Sequence, residues 1–387
     1  MVVLGCGVAG LAAATTAVRQ GARVLVVEKT EAIGGKATQS YVGTLCGLYY
    51  RRRDQDFNFC SEGFMAEFAK RVQGLSGYEA VSQPDGLAYL PYRLEAMKQV
   101  MQTYIEECRL EIAWNSTVIR YGISGSRITQ IELGNSRSIE TKAVVDAGGN
   151  AQTSINQHLA IIEEPNPQQA HLSVAYSVES GSSNPLLEWI YALRKAEMEG
   201  LLSPAIALAS IIPGVVETNR FWVKVPVLSK VMMPGSTETS LKEEGVRNAL
   251  LLAEVMRKYA PAFKNTRVAE IASKVGIRTE ARNKGKKVLT AEDVSGGIKK
   301  EGPFSRGTWP VEIWESGKRV QLEYPEWGDY YTIEDKVLEA ESLDNLFFAG
   351  RSISADTKAI ASARVMGTCL QTGEQSGNLA VKSAQTS

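Results

Sequence analysis

Met1-Val-Val-Leu-Gly5-Cys-Gly7-Val-Ala-Gly10 opens the chain. A short apolar run followed by glycines at the G-x-G-x-x-G spacing reads as a buried strand turning tightly into a helix. Gly5 permits the turn, Gly7 lets the backbone approach a phosphate, and Gly10 lets helix and strand pack closely. The helix start, at Val8 and Ala9, leaves backbone N–H groups unpaired and carries a partial positive charge, so it suits a pyrophosphate. Ala12, Ala13, Ala14 and Ala17 continue the helix to Gln20-Gly21, and Arg23-Val-Leu-Val-Val-Glu28 reads as a second buried strand. Glu28 ends that strand, where a dinucleotide-binding unit places an acid on the ribose hydroxyls.

Bulk properties narrow the class. The chain has 387 residues, enough for two domains, and its 44% apolar content is that of an ordinary globular protein. Lys+Arg and Asp+Glu both count 43, so no net charge draws it to nucleic acid or an acidic membrane. Arg51-Arg52-Arg53 is the one short basic run and is expected as a solvated turn. Cys6, Cys46, Cys60, Cys108 and Cys369 show no C-x-x-C spacing and are odd in number. They suggest neither a disulfide framework nor a zinc site, and a cytoplasmic location is expected. No secretory signal precedes the glycine loop, and no apolar run is long enough to span a bilayer. The two histidines, His158 and His171, stand in no arrangement that marks a hydrolytic triad or a metal site.

Periodicity places helices over about 58–72 and 93–109. Four β-type segments between 111 and 146 read as a small meander leading into a buried strand at Ala143–Val145, which ends in Asp146-Ala-Gly-Gly-Asn150. The middle region mixes helices (186–199, 241–259) with strands (171–178, 220–227, 268–271, 277–282). Leu343-Asp-Asn-Leu-Phe-Phe-Ala-Gly-Arg351 then returns to strand and glycine turn, followed by one long small-residue helix over about 359–384.

Four glycine elements need one ligand: Gly5/Gly7/Gly10 with Glu28, the doublet Gly34-Gly35, the turn Ala147-Gly148-Gly149, and Ala349-Gly350-Arg351. A nicotinamide dinucleotide needs only the first. Flavin adenine dinucleotide (FAD) is longer and lies extended, so strand ends from distant parts of the chain must meet it. Glu28-Lys29 through Gly34-Gly35-Lys36-Ala37-Thr38 resembles the ribose acid and double-glycine loop of two-dinucleotide-binding-domain flavoproteins. Asn345-Leu-Phe-Phe-Ala-Gly-Arg-Ser-Ile-Ser354, continuing through Ser362, Arg364-Val365-Met366 and Gly373, resembles the closing motif of the FAD-dependent oxidoreductase family related to fumarate reductase and aspartate oxidase flavoproteins. Gly276-Ile-Arg-Thr-Glu-Ala-Arg282 resembles that family's G-I-R-E-x-R segment. The likeness covers about 1–50, 115–155 and 274–385, and is weak over 155–270.

The resemblance implies an α/β fold: a Rossmann-like FAD-binding domain, a parallel sheet plus β-meander, formed by 1–155 and 336–387, with an inserted α+β substrate or cap domain over 156–335. It implies cofactor contacts at the glycine elements and at Val8, Ala9, Lys29, Lys36, Ala37, Thr38, Val118, Arg351, Ser362, Val365 and Met366. The turn Ala147-Gly148-Gly149-Asn150 stands where the family usually has Ala-Thr-Gly-Asp, so one local hydrogen bond is in doubt. The matched segments contain no histidine, so non-covalent FAD is expected.

Arg278, Glu280 and Arg282 alternate, and on a strand they would share one face, as an ion-pair ladder or as a clamp for a substrate carboxylate. The N-terminus of the last helix can supply positive potential near a reduced ring, to which Arg364 or Lys358 would add a full charge. Tyr324, Trp327, Tyr330 and Tyr331 are expected to pack, and Cys46 to be an inert thiol. The expected activity is hydride transfer between a small organic substrate and the flavin, as an oxidase or a dehydrogenase. Two other readings stay open: a flavoprotein hydroxylase or maturation enzyme acting on a peptide or partner protein, and a non-catalytic protein holding FAD as structure. Substrate, electron acceptor and oligomeric state are not legible in the sequence.

Overall fold

A computed structural model of the chain describes residues 1–54, 57–178, 184–212, 219–229, 237–302 and 305–386. The opening apolar run forms β1 (Val2–Leu4), and the glycine loop carries it into α1 (Val8–Arg19) and back to β2 (Leu25–Val27). Three further short strands complete the sheet: β3 (Glu111–Ala113), β4 (Val144–Asp146) and β5 (Leu346–Phe348). Their order is β5-β4-β1-β2-β3, and every pairing is parallel. The fold is α/β with a Rossmann-type parallel sheet.

Alternation along the strands explains the layers. Val3, Val26, Val145 and Phe347 face one core with α1, while Val2, Leu4, Leu25 and Val27 face a second core on the opposite side. A three-stranded antiparallel meander (Val118–Ser124, Arg127–Leu133, Ser138–Glu140) covers that second side. The meander is thus one strand shorter than expected, because Glu111–Ala113 pairs with β2 instead.

The chain ends in two helices, α2 (Thr357–Ala363) and α3 (Met366–Gln385), rather than the single helix expected. Arg364 caps the first, and Val365 is extended (φ −71°, ψ 154°), starting the second in a new direction. α3 lies against α1 at backbone contact. A Cβ at Gly373 would overlap the carbonyl oxygen of Ala9, and one at Gly377 would stand 2.7 Å from that of Ala13. Small residues at this i,i+4 spacing are what permit the approach.

A second antiparallel sheet runs Ser210–Ile211, Arg220–Val227, Ala170–Ser177, Val268–Ile271. Leu172, Val174, Tyr176, Val223 and Val225 turn one face toward helices Pro185–Met198 and Glu238–Tyr259. Period two therefore sends His171 and Lys224 to the other face, on neighbouring strands in a register that sets Ser173 opposite Lys224. The separate core of this layer comprises residues of 170–277; Leu289, Val311, Tyr331 and Val337 pack instead with Val2 and Leu4 beneath the parallel sheet.

Two further expectations are corrected. The helix expected from residue 58 begins at Phe64, whose N–H donates to the Glu374 carboxylate at 3.1 Å. Residues 277–281 are irregular rather than strand. The Ile277 carbonyl accepts from Arg351 and that of Glu280 accepts from Arg282, so these carbonyls bond to side chains rather than to a neighbouring strand.

Candidate active site

All five strands run the same way, so their carboxyl ends, with the turns that follow, lie along one edge of the sheet. That is why distant glycine elements meet. The turns after β1, β2, β4 and β5 all open into one cavity of about 560 Å³.

At its outer end, Gly5 has φ +91°, a conformation open to glycine, and Gly7 leads into α1. No side chain caps α1, so the first N–H groups, at Val8 and Ala9, remain free for an anion at the cavity wall. Glu28 lies beside them, 5% exposed; its carboxylate accepts from Cys6 N (2.8 Å) and from Thr30 N (3.1 Å) and Oγ1 (3.0 Å). Lys29, Gly34, Gly35, Lys36 and Ala37 continue the wall. Opposite them stand Ala147, Gly148, Gly350 and Arg351. Arg351 donates to the Ile277 carbonyl (2.8 Å) and pairs with Glu280 at 3.5 Å. Asn150, at the position that departs from the family pattern, accepts from Gln152 N, while Asp146 accepts from Gly148 N at 2.8 Å. The orphaned helix N-terminus and the acid set at ribose distance along the chain fit an adenine dinucleotide.

Six sequence-predicted residues lie outside this wall. Gly10 sits behind the loop, where a Cβ would overlap the Gly5 carbonyl oxygen. Thr38 bonds the Ile33 carbonyl, and Val118 is buried in the core under the sheet. Ser362 is buried on Tyr331 Oη (2.8 Å) and the Trp309 carbonyl. Lys358 is half exposed and paired with Glu323 at 2.9 Å. Arg282 also turns away: it is 1% exposed, with its guanidinium on Glu164 at 2.6 Å and on backbone carbonyls. Tyr331 is buried as expected while Tyr324 and Trp327 stay partly at the surface; Arg51 lies between them, 3.9 Å from the Trp327 ring centre and 4.2 Å from that of Tyr324, whereas Arg52 and Arg53 of the basic run remain solvated.

The inner end of the cavity holds a charge cluster in which the expected Arg278 and Arg364 meet two residues not singled out in the sequence, Lys224 and Glu312. Arg278, Arg364 and Lys224 meet there around one acid, Glu312. Arg364 reaches Glu312 Oε2 and Gln168 Oε1, each at 3.2 Å. Trp309 Nε1 also donates to Glu312. Burial would raise the Glu312 carboxyl, but Arg364 and Arg278 hold it below the usual range. Burial first, then Arg278, pushes Lys224 down to about 8; burial and then Arg364 also lower Arg278, which as a guanidinium stays charged. Lys224 makes no hydrogen bond or ion pair among the described residues. Both ring nitrogens of His171 also lack partners, as does Nε of Arg364, and burial with the nearby cations holds His171 well below its ordinary value. The imidazole is neutral at pH 7. Cys46 shares the wall with its thiol pushed up to about 12 by burial, and so is protonated and inert.

Strand alternation in Phe221-Trp-Val-Lys224-Val could have flagged Lys224, the one charge inside an apolar run. Glu312 and Trp314 carry no comparable signal.

The family model described as FAD dependent oxidoreductase matches residues 1–158 and 180–387. No curated protein matches the sequence. Among solved structures, GidA from Aquifex aeolicus aligns with a TM-score of 0.52 at 12% identity, covering 100% of this chain and 63% of that one. A geranylgeranyl bacteriochlorophyll reductase-like protein from Thermoplasma acidophilum gives 0.50 at 11%, covering 100% and 78%. The Diels-Alderase PyrE3 gives 0.49 at 11%, covering 100% and 65%. The chain therefore spans less than two thirds of the GidA and PyrE3 chains, and at such identities the likeness is one of fold.

Proposed function

We propose, since this chain belongs to the FAD dependent oxidoreductase family, that it oxidises or reduces a small organic acid whose carboxylate sits among Arg278, Arg364 and Lys224. FAD, the cofactor of the family, supplies two-electron chemistry at its ring when bound. The observation that carries the substrate class is the cluster itself: three cations against one carboxylate, at the inner end of a cavity whose outer end is the dinucleotide loop.

The chain's own groups divide the remaining work. Arginine offers two parallel donors to a carboxylate, so Arg278 and Arg364 orient as well as attract. The start of α3, at Val365–Met366, presents free N–H groups and positive potential to the same wall. Trp309, Trp314 and Leu322 narrow the wall around the cations and keep water from it. Oxidation at a carbon bearing a hydroxyl or amino group releases a proton; the neutral, unpartnered His171 lines the same wall and can accept a hydrogen bond from that group. FAD is held without a covalent bond, so acid precipitation should leave the yellow colour in the supernatant. Among the described residues no helix is long and apolar enough to cross a membrane. The cytoplasmic setting rests on the five unpaired cysteines.

The test is anaerobic bleaching of the holoenzyme by hydroxy, amino and saturated carboxylic acids, each beside its neutral amide. Reduction by acids alone supports the reading; equal rates with the amides overturn it. Repeating the reoxidation in air separates oxidase from dehydrogenase.

A pH dependence follows from the same cluster. Lys224, held at about 8, loses its charge as pH rises while the Arg278 guanidinium keeps its own, so the free site binds anions less well in alkali. Carboxylate affinity, read from the flavin spectrum, should fall about tenfold or more between pH 7 and 9.5. A flat profile would exclude Lys224 as the anion's partner.

A further inference from the structure

A smaller cavity of about 240 Å³ adjoins the first, sharing His171, Ser210, Lys224, Arg278 and Trp314. Among the described residues its lining contains four cations (Lys224, Arg278, Lys318 and Arg319) and no carboxylate. Lys318, at the surface, pairs with Glu315 outside the lining. Buried donors also point to a ligand. Gln169 Nε2 and Trp314 Nε1 are buried without any hydrogen-bond partner, as are both nitrogens of His171. A buried amide or indole N–H left unpaired loses the hydrogen bond it makes to water in the unfolded chain, unless a ligand accepts from it.

These donors are held in place. Gln169 N donates to the Trp314 carbonyl at 2.9 Å, Arg278 donates to the Gln169 carbonyl, and the Arg278 guanidinium lies 4.4 Å from the Trp314 ring centre. Strand 170–177 thus fixes one donor and the segment around Trp314 the other, with Arg278 between them and common to both cavities.

We propose that the smaller cavity is a second oxyanion subsite, which takes the far end of an elongated dianionic substrate while the first carboxylate lies in the main cavity. The inference rests on the carboxylate reading above. Gln169 Nε2 and Trp314 Nε1 donate to the distal oxyanion, and Lys318 and Arg319 supply the field at its open side. A neutral tail would leave the two donors unpaired and four cations facing each other. The distal group is an oxyanion of either carboxylate or phosphate type.

The experiment titrates holoenzyme with α,ω-dicarboxylates from succinate to azelate, monocarboxylates of equal length and ω-phosphonocarboxylates, read from the flavin spectrum. Above a threshold length the dianions should bind at least about tenfold more tightly than monoanions of equal length. Arg319→Ala, at the surface, and Gln169→Leu, in the wall, should each cut that ratio about fivefold; the first keeps the test decisive if the second fails to fold. A phosphonate preferred over a dicarboxylate assigns a phosphate-type end, and the reverse a carboxylate. A ratio near one at every length, with monocarboxylates still bound, overturns the second subsite and leaves the first reading standing. Slower association of dianions in Arg319→Ala with an unchanged ratio also overturns it, because the cavity is then only an entrance. Failure of every carboxylate to perturb the spectrum overturns both.

Discussion

Protein carrying Gly10→Val should purify colourless, with FAD affinity at least about a hundredfold weaker, or about 2.7 kcal/mol. The reason is backbone against backbone: a Cβ at Gly10 would overlap the carbonyl oxygen of Gly5, and neither atom belongs to a side chain that can rotate away. α1 would have to move off β1, taking its free N–H groups with it. Thermal stability should fall together with the colour. Gly7→Ala is the contrasting change. Nothing in the protein lies within 4 Å of a Cβ at Gly7, whose φ of −77° any residue adopts, and the position faces the cavity. That variant should keep its melting temperature and lose about tenfold in FAD affinity, measured by fluorescence of released flavin. Equal colour in all three proteins would refute the assignment of the glycine loop to the cofactor.

Arg364→Met should be the most damaging change at the inner end. It removes an anion partner and, among the described residues, the one guanidinium in direct contact with Glu312, leaving that partly buried acid with Trp309 Nε1 and the more distant charges of Arg278 and Lys224. Breaking a buried ion pair from one side typically costs about 3–5 kcal/mol; the pair here is 10% and 18% exposed, so the lower end is expected. Adding Glu312→Leu should restore most of the stability, since no acid then needs a counter-ion. It should not restore binding: affinity for carboxylates should stay at least about a hundredfold down in the single and the double variant. The double variant is the informative one. Recovered stability with recovered binding would mean that Arg364 only neutralises Glu312 and touches no ligand.

The outer half of the site was legible in the sequence; of the inner half, Arg278 and Arg364 were named, but not their meeting with Lys224 and Glu312. Glycine spacing encodes a backbone path, and parallel strands bring their ends to one edge whatever lies between, so Gly5, Glu28, Gly148 and Gly350 could be joined on paper. Val118 and Ser362 were assigned by resemblance; alternation along its strand turns Val118 into a core, and the buried face of α2 sets Ser362 on Tyr331 and Trp309. The inner cluster draws Lys224 from one sheet, Arg278 from an irregular segment, Glu312 from a short hairpin and Arg364 from a helix break. No local pattern relates these four. The break itself was invisible because Ala359–Ala384 reads as good helix throughout. Tertiary contact decided it: Gly367 meets the backbone of Gly47, so the chain must re-enter helix from an extended Val365.

The contact of α3 with α1 sets an order of events during biosynthesis. The loop that would hold the cofactor leaves the ribosome long before the helix that backs it, glycine to carbonyl. Until Gly373 and Gly377 arrive, α1 has an uncovered face and the loop has no rigid support. Cofactor capture is therefore coupled to the synthesis of α3, and nascent chains halted before Met366 should emerge apo and be open to proteolysis at the unit around α1.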